Sequence, residues 1–508
     1  VLQGDFDLSF SFVVRRVYNL IMNYKVRLSK TGSNKTQVQV VYYHNRKTIV
    51  VKHLGSVTSE LDIQHLKEDA IRWIKKESDT HGLFSENADK NYLDNYTYLG
   101  FKYFYAYEFL EKVFKKFKFD KYLNELFKDL VISRIMEPNS KKESLNFLNE
   151  FMDKNHSLDS LYKQITKYDK SKKESLEKEI MDVAKKEFSF DFSFVLYDVT
   201  TLYFESFEDY DFQTPGFSKD HKANQPQVVV GLITTRDGLP LSYQVWKGNT
   251  FEGKTFIPIL KAFKTLHNIE KITVVADSAM LSKINFQTLK DEGLNYIVGA
   301  RLGNLKQETL NKILKNFKHQ NGFSVKVDDL IVDYSSARYS KDLSDMEKQK
   351  KKAEKYLGEL SFRTPKLKYL KTTLLQNSLN QELIDKHKRL LGLKGYYTDL
   401  NLPNTEIINY YHNLYKVEHA WRIAKSDLQT RPIYHYKEDS IRNHLLICFL
   451  ALTISIYLEL KNKISINQII LNLKSITDAK IQNKLNHNVF YQRIELNGMM
   501  LKMEEMSY

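Results

Sequence analysis

Phe194-Val195-Leu196-Tyr197-Asp198-Val199-Thr200-Thr201 decides how this chain is read. Its first four residues form an apolar run of strand length, and the run closes on a carboxylate followed by polar residues. Downstream, residues 227–235 read as a second strand, Arg236-Asp237-Gly238 as a turn and residues 239–246 as a third strand, an antiparallel meander. Residues 255–267 have helical spacing, and residues 272–276 form a strand that ends at Asp277. Residues 281–292 read as a helix and Tyr296-Ile297-Val298-Gly299 as another strand. The order β-β-β-α-β-α-β predicts an α/β mixed sheet with helices on its faces.

Working outward, residues 22–56 read as short strands with a hairpin-like pair flanking His44-Asn45-Arg46-Lys47. From Glu60 the pattern turns helical, with Leu61, Ile63, Leu66, Ala70 and Ile71 at three- to four-residue spacing. A helical stretch runs through 104–136 and stops before Pro138, and Ser140-Lys141-Lys142-Glu143 has the form of a capping box that opens another helix. Residues 157–187 are Lys/Glu-rich and periodic, a solvated helical pair. On the far side, residues 301–395 break the strand–helix rhythm and read as an insertion. Residues 396–400 resume the sheet, a long helix covers about 404–427, and an apolar helix lies near 445–458. The organisation expected is therefore a read-through segment at 1–21 (the first methionine is Met22), a strand-rich then helical unit at 22–90 and a helical region at 91–188. A core follows in two parts, 189–300 and 396–460, around the insertion at 301–395, and 461–508 is a tail.

The 508 residues carry 77 Lys+Arg against 62 Asp+Glu, a formal net charge of +15, which makes a polyanion the first partner to consider. Lysine-rich, AT-biased composition is the other source of such a surplus, so charge alone does not decide. At 42% hydrophobic the chain is too apolar to be disordered. The single cysteine, Cys448, excludes an internal disulfide and a Cys-based zinc site and suits a reducing cytosol. The apolar run at 445–458 is shorter than the roughly 20 residues a membrane span needs, so no membrane is expected. Residues 10–14 are followed rather than preceded by Arg15-Arg16, the wrong charge order for a secretory signal. There is no Walker-A loop, no G-x-G-x-x-G after a strand and no G-x-S-x-G, which disfavours an ATPase, a dehydrogenase and an α/β hydrolase.

Asp198 and Asp277 each follow an apolar strand run, where polar groups project into the crevice that α/β sheets use for their sites. Either alone reads better as a cap of the following turn; together they point to a site. A hard divalent cation such as Mg²⁺ takes oxygen ligands, and convergent carboxylates holding a metal pair can activate a water and stabilise a phosphodiester's leaving oxygen. A third carboxylate comes from the helix around Tyr411 to Lys425. At 100° per residue, Tyr411, Glu418, Arg422 and Lys425 fall within a band about 60° wide, beside an apolar stripe of Val417, Trp421, Ala424 and Leu428. A solvated face with a Glu418–Arg422 salt bridge is the alternative.

These stretches resemble the DDE transposases of bacterial insertion sequences, in particular the IS-four-like group with its Y-(2)-R-(3)-E-(6)-K motif. Tyr411, Glu418 and Lys425 match that spacing, while Leu414 stands at the Arg position. Further matches are Tyr197-Asp198-Val199-Thr200-Thr201, Gly216-Phe217-Ser218-Lys219-Asp220-His221-Lys222, Gly248-Asn249-Thr250-Phe251-Glu252 and Val275-Ala276-Asp277-Ser278-Ala279-Met280. The last is Ser426-Asp427-Leu428 through Arg431-Pro432-Ile433-Tyr434-His435. The resemblance covers about residues 95–460 in consistent order. It implies a ribonuclease-H-like mixed-sheet catalytic core with an inserted domain, preceded by a mostly helical N-terminal region. It also implies that Asp198, Asp277 and Glu418 are catalytic metal ligands.

The function expected is that of a transposase that binds its element's terminal inverted repeats, cuts DNA with Mg²⁺ or Mn²⁺ (two ions) and joins 3′-hydroxyl ends to target DNA. Arg422 and Lys425 would hold a phosphate, with Tyr411 at the same end. Lys219, His221 and Lys222 lie in a polar loop placed to touch DNA, a plain surface loop being the equal alternative. The partner is double-stranded DNA, the active complex at least a dimer, and the setting a bacterial cytoplasm, nucleoid-associated when bound. Rival readings are a ribonuclease-H-like nuclease or resolvase without strand transfer, and a DNA-binding relative that has lost catalysis.

Overall fold

A computed structural model describes residues 24–32, 35–44, 47–80, 95–191, 193–205, 208, 210–218, 222, 224–280, 283–315, 317–357, 365–373 and 376–493. The segment 1–21, read above as read-through, lies outside them, as do Lys219 and His221.

The chain divides into two compact units. The first comprises described residues up to Phe101 together with Ala479–Arg493. In it β1 (Lys25–Lys30), β2 (Thr36–His44) and β3 (Lys47–Val57) form an antiparallel sheet. Its inward residues Val38 and Val40 pack on Ala70 and Trp73 of α1 (Glu60–Thr80). A second sheet has the order β16 (Val489–Arg493), β15 (Asp478–Asn483), β4 (Tyr96–Lys102), so the segment read as a C-terminal tail supplies two strands.

The second unit, Lys102–Asp478 among the described residues, is led by helices α2 (Phe104–Lys116), α3 (Glu125–Met136), α4 (Lys141–Met152), α5 (Leu158–Ile165) and α6 (Lys170–Phe188). The stretch 104–136, read as one helical run, is two helices. Lys118 turns left-handed at φ 53°, and the Asn124 side chain accepts from the Phe127 amide (3.1 Å) to open α3. Ser140 accepts from the Glu143 amide at 3.2 Å, as its capping pattern predicts.

The core of this unit is an eight-stranded mixed sheet, the α/β architecture of a ribonuclease-H-like core. Its strands are β5 (Phe194–Tyr203), β6 (Gln227–Thr235), β7 (Pro240–Lys247), β8 (Thr273–Ala276), β9 (Asn295–Ala300), β10 (Ser324–Val327), β11 (Leu330–Tyr334) and β14 (Leu393–Thr398), in the order β10-β11-β14-β9-β8-β5-β6-β7. β5, β6 and β7 are the antiparallel meander; β5, β8 and β9 run parallel. Helices α7 (Phe256–His267) and α8 (Lys283–Asp291) make the crossovers, and α9 (Gln307–Lys315) follows β9. Of residues 301–395, β10 and β11 continue the sheet. Only α10 (Ser336–Glu354), α11 (Gln381–Lys388) and the hairpin β12 (Leu370–Thr372)–β13 (Asn377–Leu379) surround a small separate core of Met346, Ala353, Tyr369, Ile384 and Leu391.

Two further differences from the sequence reading bear on the site. β5 does not stop at Asp198 but pairs with β6 as far as Tyr203. The Val-Thr-Thr that reads as a turn is β-branched and extends the strand. The single helix expected over 404–427 is broken into α12 (Asn404–His412) and α13 (Tyr415–Arg422), followed by a π turn at Ile423–Asp427. The apolar stretch at 445–458 lies in α14 (Glu438–Asn462), which is long and apolar enough to cross a membrane but has 89% of its most apolar window buried inside the protein. α15 (Ile466–Lys474) packs against it.

Candidate active site

Parallel pairing sets the two aspartates side by side. The last β5–β8 register pair is Tyr197–Ala276, so the next step along both strands brings Asp198 level with Asp277, one strand spacing of about 4.8 Å away. Asp198 is thus mid-strand in β5 yet level with the end of the shorter β8. Alternation fixes their face: Leu202 packs under Trp421 and Ala424, and Asp198 shares its parity. The helical layer of α12 and α13 therefore lies over the carboxylates.

From that layer, the buried Tyr411 hydroxyl donates to Asp277 Oδ1 at 3.3 Å. Burial first, then the Asp277 charge and hydrogen bond and the Glu418 charge, push this phenol well above its ordinary range, so it remains a donor. The approach depends on Gly299 of β9, where a Cβ would stand 2.5 Å from the Tyr411 oxygen. Gly299→Ala is expected to displace Tyr411 and cost about 1–3 kcal/mol. Thermal unfolding checks this, and a melting temperature equal to the native protein's would count against the contact.

Lys394 of β14 completes the cluster. Its Nζ lies 4.3 Å from the Tyr411 ring centroid. Burial lowers this amine and Arg338 lowers it further, while Asp333, Asp277 and Glu418 oppose them. Sequence reading missed Lys394 because it stands in the segment taken for an insertion; the only available signal was its place at the head of a strand run. Leu414, at the motif's Arg position, is buried and apolar. Glu418 is exposed, and its charge acts on both Tyr411 and Lys394.

Among the described residues no three His, Cys, Asp or Glu side chains converge into a ready-made metal cage. The adjacent, all-oxygen pair Asp198 and Asp277 fits a hard divalent cation, with Glu418 on the overlying helix a further carboxylate whose charge, like that of Asp277, acts on Tyr411.

A family described as "Transposase DDE domain" matches residues 189–454, just over half of the chain and all of this site. The chain belongs to the DDE transposase family. Such transposases generally use divalent metal ions. No curated protein is significantly similar to the chain. Among solved structures, the cryo-EM structure of a piggyBac transposase synaptic complex with hairpin DNA has a TM-score of 0.34 at 10% identity, covering 73% of this chain and 77% of that one. An X-ray structure of Marinitoga piezophila Argonaute in complex with 5′ OH guide RNA has a TM-score of 0.21 at 11% identity, over 78% and 75%. At these scores the family match alone carries the assignment.

The remaining basic residues of this DDE transposase spread apart. Arg422 donates to His419 Nδ1 at 2.7 Å, and His419 Nε2 in turn reaches Glu459 at 2.9 Å, so the His419 tautomer with its proton on Nε2 satisfies both contacts. These residues line a cleft of about 810 Å³ together with Glu418 and Lys416. Lys425 is half-buried within the π turn, where wider winding carries it off the 100°-per-residue projection that aligned it with Glu418. Lys222 is exposed, with Nζ 5.6 Å from the Tyr203 ring centroid at the end of β5. Lys219 and His221 lie outside the described residues.

Proposed function

We propose that this chain is the transposase of an insertion sequence: it binds the element's terminal inverted repeats, cuts the DNA there and joins the freed 3′-hydroxyl ends to target DNA. The observation that carries this reading is the register that sets Asp198 beside Asp277, beneath the helical layer bearing Tyr411 and Glu418. Asp198, Asp277 and Glu418 would hold Mg²⁺ or Mn²⁺, two ions in all, which when bound supply an activated water and charge neutralisation at the leaving oxygen. Tyr411 orients the Asp277 carboxylate and, staying protonated, does not compete as a base. Arg422 and Lys425 hold DNA phosphates, Arg422 from the cleft it shares with Glu418 and Lys425 from the π turn that follows. Lys219, His221 and Lys222 touch the same DNA. The working complex is at least a dimer, because two ends must be joined, and the setting is the bacterial cytoplasm.

The test is made on the DNA flanking the coding region. Purified protein with Mg²⁺ is expected to nick a duplex carrying matching inverted repeats from those flanks and to transfer the 3′-hydroxyl end to a plasmid. Cutting without transfer would replace this reading with that of a nuclease. Lys425→Ala is expected to weaken binding of a cut end uniformly across flanking sequences and to reduce the salt slope by about one. A lowered melting temperature with an unchanged slope would instead make Lys425 a packing residue. End recognition is assigned to residues 22–185, which take in most of the helical DNA-binding region at 91–188. Removing residues up to Phe101 is expected to weaken sequence-specific end binding while sparing weak, salt-sensitive binding, read by gel shift, and unchanged end binding would assign recognition to the helices alone.

A further inference from the structure

A second cleft, of about 790 Å³, opens in the same unit between the start of α4, the end of α5 and the segment that leads into α14. Arg134, Lys141, Lys142, Lys163, Arg431 and Lys437 line it, joined by His435 and His444, and among the described residues no Asp or Glu does. Arg431 and His435 belong to the Arg431-Pro432-Ile433-Tyr434-His435 stretch, which the carboxylate site leaves unexplained.

The cluster is built, not merely basic. Arg134 and Lys141 are 3% and 9% exposed. Lys141 Nζ donates to His444 Nδ1 at 3.0 Å, and His444 Nε2 donates to the Thr430 carbonyl at 3.0 Å. Arg134 reaches the Leu428 carbonyl at 3.4 Å, while its buried Nε has no hydrogen-bond partner among the described residues. Burial and the neighbouring Arg134 push the Lys141 amine down to about 7, and burial with Lys141 and Arg134 pushes His435 down to about 4. The Arg134 guanidinium stays charged, and burying it without a carboxylate is costly unless a ligand brings the negative charge; the same ligand would favour the charged form of Lys141, which burial opposes. Outside the buried pair stand exposed lysines 142, 163 and 437 and three tyrosines, Tyr162, Tyr434 and Tyr436, exposed by 58%, 69% and 58%. A basic groove edged with aromatic rings is the pattern by which proteins hold an unpaired nucleic-acid strand, charge taking the backbone and rings taking the bases. The cations continue toward the end of β5, where Arg431 and Lys222 both stand over the Tyr203 ring, at 5.4 Å and 5.6 Å. Tyr203 is five residues along the strand from Asp198, on the order of 17 Å.

We propose that this cleft is a DNA-strand site separate from the carboxylates, in which Arg134 and Lys141 hold a backbone phosphate and Tyr434 and Tyr436 stack on unpaired bases. It rests on the reading of the chain as a DNA-processing enzyme, and its test reads binding without cutting. The full-length chain in EDTA is titrated with a fluorescent single-stranded oligo-dT by anisotropy over a range of salt concentrations. Lys142→Ala/Lys163→Ala/Lys437→Ala is compared with a control, Lys348→Ala/Lys351→Ala/Lys352→Ala, that removes three charges from exposed positions on α10. The cleft triple variant is expected to bind at least tenfold more weakly than the control, with a salt slope smaller by about two, at ~0.7 per lost single-strand phosphate contact. Tyr434→Ala/Tyr436→Ala is expected to weaken binding severalfold with the slope unchanged. Equal losses in the two triple variants overturn the proposal. Because all six lysines are exposed and the titration is made in EDTA, neither folding nor cutting confounds the comparison. Failure to cut DNA would therefore count against the transposition reading without touching this one.

Discussion

Asp198→Asn, Asp277→Asn and Glu418→Gln are each expected to slow Mg²⁺-dependent DNA cutting by about a thousandfold or more, on the order of 4 kcal/mol of transition-state stabilisation. Each change keeps the size of the side chain and removes the charge that would hold a cation. DNA binding is expected to persist, because the residues proposed to hold phosphates are others. Stability separates this account from a structural one. Asp198 and Asp277 stand one strand spacing apart and Asp277 accepts from Tyr411, so the informative readout is how much Mg²⁺ changes the melting temperature rather than its value in EDTA. Adding Mg²⁺ should raise the melting temperature of the native chain, since a ligand that binds only the folded state stabilises it, and should raise that of the variants less. Native-like cutting by any one variant would remove that residue from the site.

Gly248→Ala is expected to be among the most destabilising single changes in the chain, about 3 kcal/mol or more, because what its Cβ would strike is backbone. That atom would sit 2.1 Å from the carbonyl oxygens of Gln227 and Thr214. Gly216 faces it, with a Cβ position 2.3 Å from the Gly248 oxygen. The two glycines let three backbone segments close together. Thr214 and Gln227 exchange backbone hydrogen bonds at 3.3 and 3.2 Å, and Gln227 Nε2 donates to the carbonyls of Gly248 (2.9 Å) and Phe217 (3.1 Å). This knot ties the loop after β5, which carries Lys222, to the end of β7. Chemical denaturation of Gly248→Ala is the measurement, and a midpoint within experimental error of the native chain's would show that the segments separate at little cost. The same contacts explain why Gly216 and Gly248 open two of the stretches by which the sequence resembles its family.

Much of the catalytic sheet was legible in the sequence because its strands are short apolar runs separated by turn residues, a pattern set by local sterics and burial. Phe194 to Tyr197, Gln227 to Thr235 and Tyr296 to Gly299 are all strands, and Ser140 caps its helix as its spacing requires. The strand continuing beyond Asp198 was not legible, since Thr and Val serve a turn or a strand alike until a partner such as β6 supplies hydrogen bonds. Nor was the π turn at Ile423–Asp427, which packing of Trp421 and Ala424 against the sheet and of Thr430 onto the Ala424 carbonyl (2.7 Å) accommodates. A helical projection carried through that turn misplaces Lys425.

By itself, then, the sequence determined the α/β class, the chain order of the first core strands and the family, and marked two aspartates as candidates, because each is written within a few neighbouring residues. Only the tertiary structure decided what meets across long separations. Pairing of β5 with β8 brings Asp198 level with Asp277; Gly299 leaves room for Tyr411 to reach that aspartate; Lys394 comes in from a segment that reads as an insertion. Lys141 and His444, 303 residues apart, share a hydrogen bond in a cleft lined by cations. The physical reason is the same in each case: strand register and side-chain burial are settled by the packed core as a whole, and no local pattern of residues encodes which distant side chain will fill the adjoining space.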